Sequence, residues 1–514
     1  MKILSNKYFL ISSAFLIFSL FWMKSFIILD PDFGWRLRAG EIYANKGIPG
    51  TDIFTYTMPS FPWVDHAWLQ SLFFYFLYKT IGKAGLAILM ATISYLALMA
   101  SLGTFSFNFS KFFGVKSNLS DPFRIPLIFP FWLGASILIS SLGIRVQVLS
   151  WLMLAVLLNI VFNEKRWLKF RKFSPFYFLA WANLHGGFVS GLSAWMIILV
   201  ARLIRLKRIN FTDVTLFSLS IFATLINPYG IGVWREVYSS VSDWSLRFSI
   251  SEWMPSIFMF DLSMAALFTL SVGLLIRYRS KFLLEEKLLF FAFLFQAIVS
   301  RRHLPLWLII TLPIVMKSIE LIYKEAETFK NGKDRFMLVY KASLFGTILI
   351  FALQSAIALW GAAYIREGIF YPKQGVAYLS ENLPNGNIFS DYNWGGYLIW
   401  KLPERKVFVD GRMPSWNWDG PSGEEDYSFK VYRDIISGET EYKKYFEKYN
   451  IDIVFLPKRG EKGLYQILQK KLDNLLVGFG KEKDKEFDFL KALNEDGWQK
   501  VYEDEISVLY KGTS

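Results

Sequence analysis

Residues 8–32 read YFLISSAFLIFSLFWMKSFIILDPD. The first 22 of these form one apolar run, Tyr8 to Leu29, broken only by Lys24. A bilayer core takes about 20 apolar residues in a helix, so the run predicts a membrane span. It ends at Asp30 without a small-residue cleavage site, and it is too long for a secretory leader. Lys2 and Lys7 precede it, which places the N-terminus in the cytoplasm and Asp30 outside.

The rest of the chain repeats the pattern. Of 514 residues, 53% are hydrophobic and only 19% charged. Soluble chains carry about 25% charge, so a soluble globule and a disordered chain are both excluded. Cysteine is absent, which removes thiol catalysis, Cys-ligated zinc and iron–sulfur clusters. Further apolar segments lie near 67–81, 84–107, 125–143, 146–162, 174–184, 187–204, 212–226, 257–276, 287–299, 304–318 and 341–363. They predict a polytopic α-helical domain of about 11–12 helices. Topology leaves one conflict, because 67–81 and 84–107 cannot both cross; 67–81 is expected to be partly embedded.

Charge divides the chain. Residues 1–363 carry a balance of +17 and residues 364–514 one of −3, within a total of +14. The excess positive charge sits in linkers between apolar runs (162–172, 202–208, 277–287, 317–335), as positive-inside topology requires. Nucleic acid is not needed to explain it. Two domains are expected: a membrane domain over 1–363, with external loops at 30–66 and 227–256, and a soluble extracytoplasmic α/β domain over 364–514. In the latter, 387–391, 396–400, 406–410, 451–456, 498–502 and 506–510 read as strands, and 374–382, 427–449 and 462–475 as helices. The expected location is a multi-pass cytoplasmic membrane with the C-terminal domain outside.

The first external loop reads DPDFGWRLRAGEIYANKGIPGTDIFTYTMPSFPWVDHAWLQ over residues 30–70. Carboxylates just past a membrane span are costly unless they serve a polar cavity, a metal or a substrate. Asp30 and Asp32 are therefore candidate catalytic residues. Residues 35–45 predict an amphipathic interfacial helix carrying Trp35, Arg38, Glu41 and Tyr43. Topology places all three histidines, His66, His185 and His303, on the external face, together with Arg145, Arg301 and Arg302. Arginine suits bidentate phosphate contact. Snorkelling to lipid headgroups is the plainer reading of those arginines, and a packed core residue is the plainer reading of each histidine.

The loop resembles that of the GT-C glycosyltransferases, polytopic enzymes that use polyprenyl-linked sugars. Its nearest pattern is the D-P-W-F-N-Y-R-A-T-E of oligosaccharyltransferase catalytic subunits. Asp32, Trp35, Arg38, Ala39 and Glu41 fall on its Asp, Phe, Arg, Ala and Glu. Ser249-Ile250-Ser251-Glu252 is similar to the family's S-V-S-E patch. Asp391, Trp394, Gly395, Tyr397, Asp410 and Gly411 echo its W-W-D-Y-G motif and the Asp-Asn beyond. The next external turn, LGIRVQ (142–147), departs from the pattern: it holds Arg145 where the family has an acid.

The resemblance implies a GT-C-like fold and a glycosyltransferase. A sugar would pass from a polyprenyl-phosphate-linked donor to an envelope glycan, lipid or protein acceptor on the outer side. Asp32, Asp30 and Glu252 would be catalytic. Arg38, Glu41, His66, Arg145, His185, Arg301, Arg302, His303, Trp394 and Asp410 would bind substrate. A divalent metal is possible but not required. Two other readings stay open: an O-antigen-type polymerase or ligase working through external Arg and His, and a non-enzymatic transporter or assembly protein.

Overall fold

The computed structural model describes residues 7–103, 125–242, 250–258, 261–383, 385–416, 419–458, 474, 477–478 and 487–512. The expected helix over 462–475, the basic linker 108–124 and Ser249 lie wholly or largely outside these residues. The chain forms two compact units. One comprises residues 1–27, 83–231 and 250–361; the other comprises 28–82, 232–249 and 362–514. The second unit thus gathers the first external loop, part of the 227–256 loop and the C-terminal segment.

The first unit is helical and apolar. Lys7–Ile27, Ile125–Ser141, Gln147–Val161, Ser174–Leu184, Phe188–Leu206, Phe211–Ala223, Leu262–Arg277, Leu284–Val299, Leu304–Ala326 and Gly332–Tyr364 follow the expected segments closely. By length and composition, four helices among the described residues are sufficient to cross a membrane, or five if the pair Gln147–Val161 and Glu164–Leu184, bent by 108°, is one span. Shorter apolar helices make up the rest, so the 11–12 helices expected are of unequal length. Broken or short helices persist at membrane depth where protein covers them. Helix Leu304–Ala326, one of the four long enough to cross, is a core element, buried without interruption from Leu304 to Met316.

The conflict at 67–107 resolves into one helix, Trp68–Leu102, with a break at Gly82 (φ 64°, ψ −170°). At 1.5 Å per residue its 35 residues would run about 50 Å, well beyond a hydrocarbon core of about 30 Å. Gly82 takes a positive φ that other residues avoid, and the border between the units falls there.

The second unit holds a mixed four-stranded sheet of β1 (Asn387–Ser390), β2 (Ile451–Pro457), β3 (Gln499–Glu503) and β4 (Ser507–Lys511), in the order β1-β2-β4-β3. β1 is parallel to β2, and both β2 and β3 are antiparallel to β4. Two expected strands are absent. GYLIW is helical, within Gly395–Lys401, because a short, fully buried apolar run carries no period that separates strand from helix. KVFVD makes only single bridges, Val407 with Thr55 and with Ile388. Its expected pairing length is cut short by the Pro403 turn before it and the Asp410-Gly411 turn after it. The helix expected over 427–449 is two, Ser428–Ser437 and Tyr442–Lys448, separated at Gly438 in the left-handed region. Met58 from the first loop sits in the same core as Phe389, Phe408, Val409, Ile435, Val454 and Leu493.

Candidate functional site

The second unit builds the acidic turn. Asp30 Oδ1 accepts the backbone N–H of Asp32 at 3.0 Å, and Asp32 Oδ1 accepts Trp35 Nε1 at 2.9 Å. Asp32 stands at the start of helix Phe33–Lys46, whose N-terminal end favours negative charge. The backbone around it is fixed by close approach. A Cβ on Gly34 would collide with the Gly396 carbonyl oxygen, and one on Gly396 with the Pro31 carbonyl oxygen. A Cβ at Gly411 would come within 3.0 Å of Asp32 Oδ1. The WGGY stretch of the C-terminal segment therefore cradles the DPDFGW turn. Tyr371 Oη donates to the Leu29 carbonyl at 3.1 Å and adds to that support.

These contacts revise several expectations. Trp394 and Asp410 are 2% and 0% exposed, so they do not present side chains to a substrate. Trp394 Nε1 donates to the Phe370 carbonyl, and Asp410 is bound by Arg412. Trp35 and Tyr43, expected at a membrane interface, are buried; Tyr43 Oη donates to Asp65 Oδ2 at 3.1 Å. Arg38 and Glu41 pair with each other at 2.6 Å on the helix surface. His66 lies beside Asp65 and lowers that carboxyl electrostatically.

Three buried ion pairs, on two arginines, were hidden in the sequence. Arg36 meets Asp65 at 3.1 Å. Burial raises the Asp65 carboxyl, but Arg36, His66 and Ser71 outweigh it and hold it below the usual range. Arg412 Nη1 meets Asp52 Oδ1 at 2.7 Å and Nη2 meets Asp410 Oδ2 at 2.5 Å. The rings of Trp35, Phe54, Trp63 and Trp416 surround its guanidinium at 4.9–5.7 Å. Burial opposes the Arg412 charge, yet Asp410 and Asp52 raise its pKa above the ordinary value. No local pattern marks Arg36–Asp65 or Arg412–Asp52, whose partners lie 29 and 360 residues apart, although Asp410 is only two residues from Arg412.

The first unit builds a basic cluster. The 250–254 turn packs on the 301–303 turn, with Arg301 N donating to the Met254 carbonyl at 2.9 Å and Arg302 N to the Glu252 carbonyl at 3.0 Å. Arg145 forms an ion pair with Glu252. Arg302 lies over the Trp253 ring at 5.0 Å, and His303 meets the same ring edge-on at 6.3 Å. Arg301 faces Asp261 at 3.9 Å. Burial raises the Glu252 carboxyl, but Arg145, Arg302 and Arg301 together pull it below its ordinary value. Glu252, expected to be catalytic, stands as the counter-ion of Arg145 in this cluster.

Topology alone grouped Arg145, Glu252, Arg301, Arg302 and His303 on one face, and the first unit brings all five together. Asp261 escaped notice because it also caps helix Leu262–Arg277, an ordinary role for Asp. His185 is 5% exposed and accepts from Gly187 N at 3.1 Å, with Ser150 Oγ 2.7 Å away on the same Nδ1. It organises the hairpin between Ser174–Leu184 and Phe188–Leu206 and offers no open face to a substrate. Among the described residues, no three His, Asp or Glu side chains gather to hold a metal ion.

No protein-family model and no curated protein matches the sequence. Solved structures do. The oligosaccharyltransferase AglB of Archaeoglobus fulgidus, in complex with an inhibitory peptide and a dolichol-phosphate, is similar over 92% of this chain and 72% of its own, with a TM-score of 0.56 and 13% identity. The same enzyme tethered to an acceptor peptide gives 0.55 and 13% identity over 88% and 69%. ArnT of Cupriavidus metallidurans in the apo state gives 0.50 and 10% identity over 98% of both chains. The chain is a multi-pass membrane protein with the fold of the GT-C glycosyltransferases.

Proposed function

We propose that the protein is a membrane glycosyltransferase moving a sugar from a polyprenyl-phosphate-linked donor to an envelope acceptor on the extracytoplasmic side. One observation carries the reading: Arg145, Arg301 and Arg302 gather around one turn at helix ends, an arrangement that suits a lipid phosphate. AglB, of similar fold, has been solved with a dolichol-phosphate. Preorganised guanidinium groups stabilise the negative charge that develops on a departing phosphate. Asp32, held by Trp35 and backed by Asp30, supplies the carboxylate that orients and deprotonates the acceptor. General-base assistance contributes about 10²–10⁴ in rate. Asp32→Asn therefore reduces transfer by at least 100-fold while the protein inserts and folds normally.

The test is complementation. Cells lacking the gene accumulate a lipid-linked sugar, seen by mass spectrometry of the lipid extract. The wild-type gene clears it and Asp32→Asn does not. Clearance by Asp32→Asn at a near-normal rate sinks the mechanism. The arginine cluster also suits a polymerase or ligase of lipid-linked glycans that works without an acid; such an enzyme survives Asp32→Asn and loses activity on Arg302→Ala.

A further inference from the structure

Three arginines converge on the 250–254 turn, yet the cluster is far from fully cationic. Glu252 is ion-paired with Arg145 and lies in the field of Arg301 and Arg302. Asp261, 3% exposed at its side chain, faces Arg301. Among the described residues of this cluster, with His303 neutral, three guanidinium charges meet two carboxylates, which leaves one net positive charge. Exposure is unequal. Asp261 is sealed, whereas the side chains of Arg145, Glu252 and Arg301 are 16%, 34% and 26% exposed. An arriving anion thus meets Glu252 together with the arginines.

A charge left without a partner in a half-buried site is expensive, so a ligand is favoured when its charge matches the site. A sugar carried on a single polyprenyl phosphate is a phosphodiester with one negative charge. A sugar on a polyprenyl pyrophosphate carries two. We infer that Glu252 is the specificity-determining residue of this site, selecting a donor with a single phosphate over a pyrophosphate donor by neutralising Arg145. The inference rests on the proposed function, since it assumes that the arginine cluster receives the lipid phosphate.

The test uses the full chain in detergent and two probes, undecaprenyl methyl phosphate (one charge) and undecaprenyl pyrophosphate capped as its terminal methyl ester (two charges), with affinities measured for wild type, Glu252→Gln and Arg145→Gln. Wild type binds the diester more tightly. Glu252→Gln removes a negative charge and raises pyrophosphate affinity relative to the diester on the order of tenfold, the size of one charge interaction in a partly exposed site. Arg145→Gln moves the ratio the other way. A merely structural role for Glu252 would weaken both lipids alike in both variants, and that result overturns the inference while leaving the lipid-phosphate site standing. Failure of both probes to bind correctly folded wild type overturns the proposed function and this inference together.

Discussion

At Gly396 the requirement is steric. Its Cα approaches the Pro31 carbonyl so closely that a methyl group has no room, and Gly34 makes the reciprocal approach from the other side. The obstacle in each case is backbone, which cannot swing aside as a flexible side chain would. Gly396→Ala is expected to displace the DPD turn and reduce transfer at least tenfold, with expression and helix content unchanged. A Cβ there collides with the Pro31 carbonyl oxygen and forces the turn to move, and small misplacements of catalytic groups cost large factors in rate. Normal turnover in this variant would show that the cradle is not needed. Arg412 poses an energetic problem. Its removal leaves Asp52 and Asp410, both 0% exposed at the side chain, as buried charges without their cation. Breaking a buried pair from one side costs about 3–5 kcal/mol. Arg412→Ala should therefore lower the unfolding temperature of the second unit by several degrees or more, read by calorimetry.

Helix Gly232–Ser242 shows the same logic at the scale of an element. Its Ser239 Oγ donates to the Ser415 carbonyl at 3.1 Å, and Glu236 lies against Ser415 Oγ at 3.4 Å. Burial raises Glu236 to about 7; Asp65 adds to the rise, and Ser415 and Arg412 oppose it. A carboxyl whose pKa is higher in the docked state binds its proton there more tightly than when released. Docking is therefore strongest below the ordinary carboxyl range near 4.5, weakens as pH rises to about 7, and is level above that. Protection of this helix from hydrogen exchange should fall between pH 5 and pH 7. In Glu236→Gln the fall should disappear, and a fall that persists there would assign it to another group. This helix falls within the stretch expected only as an external loop over 227–256, whereas an amphipathic helix was readable over 35–45, within Phe33–Lys46. Which apolar residues face protein rather than lipid was not: Trp35 and Tyr43 have the spacing of interfacial aromatics and end up buried against Asp32 and Asp65.

On the scale of the whole molecule, the second unit is not a contiguous domain. Val407 N donates to the Phe54 carbonyl, Thr57 Oγ1 to the Phe408 carbonyl, and Tyr56 Oη to the Ile388 carbonyl. Met58 is 0% exposed in its core. Residues 362–514 expressed alone would lack that segment, along with Asp52 for Arg412. The excised piece should unfold without a cooperative calorimetric transition, whereas a fusion carrying residues 28–66 should regain one. Cooperative melting of 362–514 by itself would contradict the shared core.

The sequence by itself determined the class of molecule. Apolar run length and charge placement were enough for a polytopic helical fold with an acidic loop after the first span, because a bilayer imposes local rules on length and charge; the GT-C-like fold followed from the resemblance of the DPDFGW loop to that family. Topology then put Arg145, Glu252 and the 301–303 turn on one face, again from local charge. Tertiary structure alone decided the partners. It made the WGGY stretch, whose Trp394 was expected to bind substrate, a cradle for the DPDFGW turn and set His185 in a hairpin. It also made Glu252 a counter-ion and brought Arg412 between Asp52 and Asp410. The Gly396–Pro31, His185–Ser150, Glu252–Arg145 and Arg412–Asp52 contacts join residues tens to hundreds of positions apart, and burial and ion pairing across such separations leave no period or spacing in the chain.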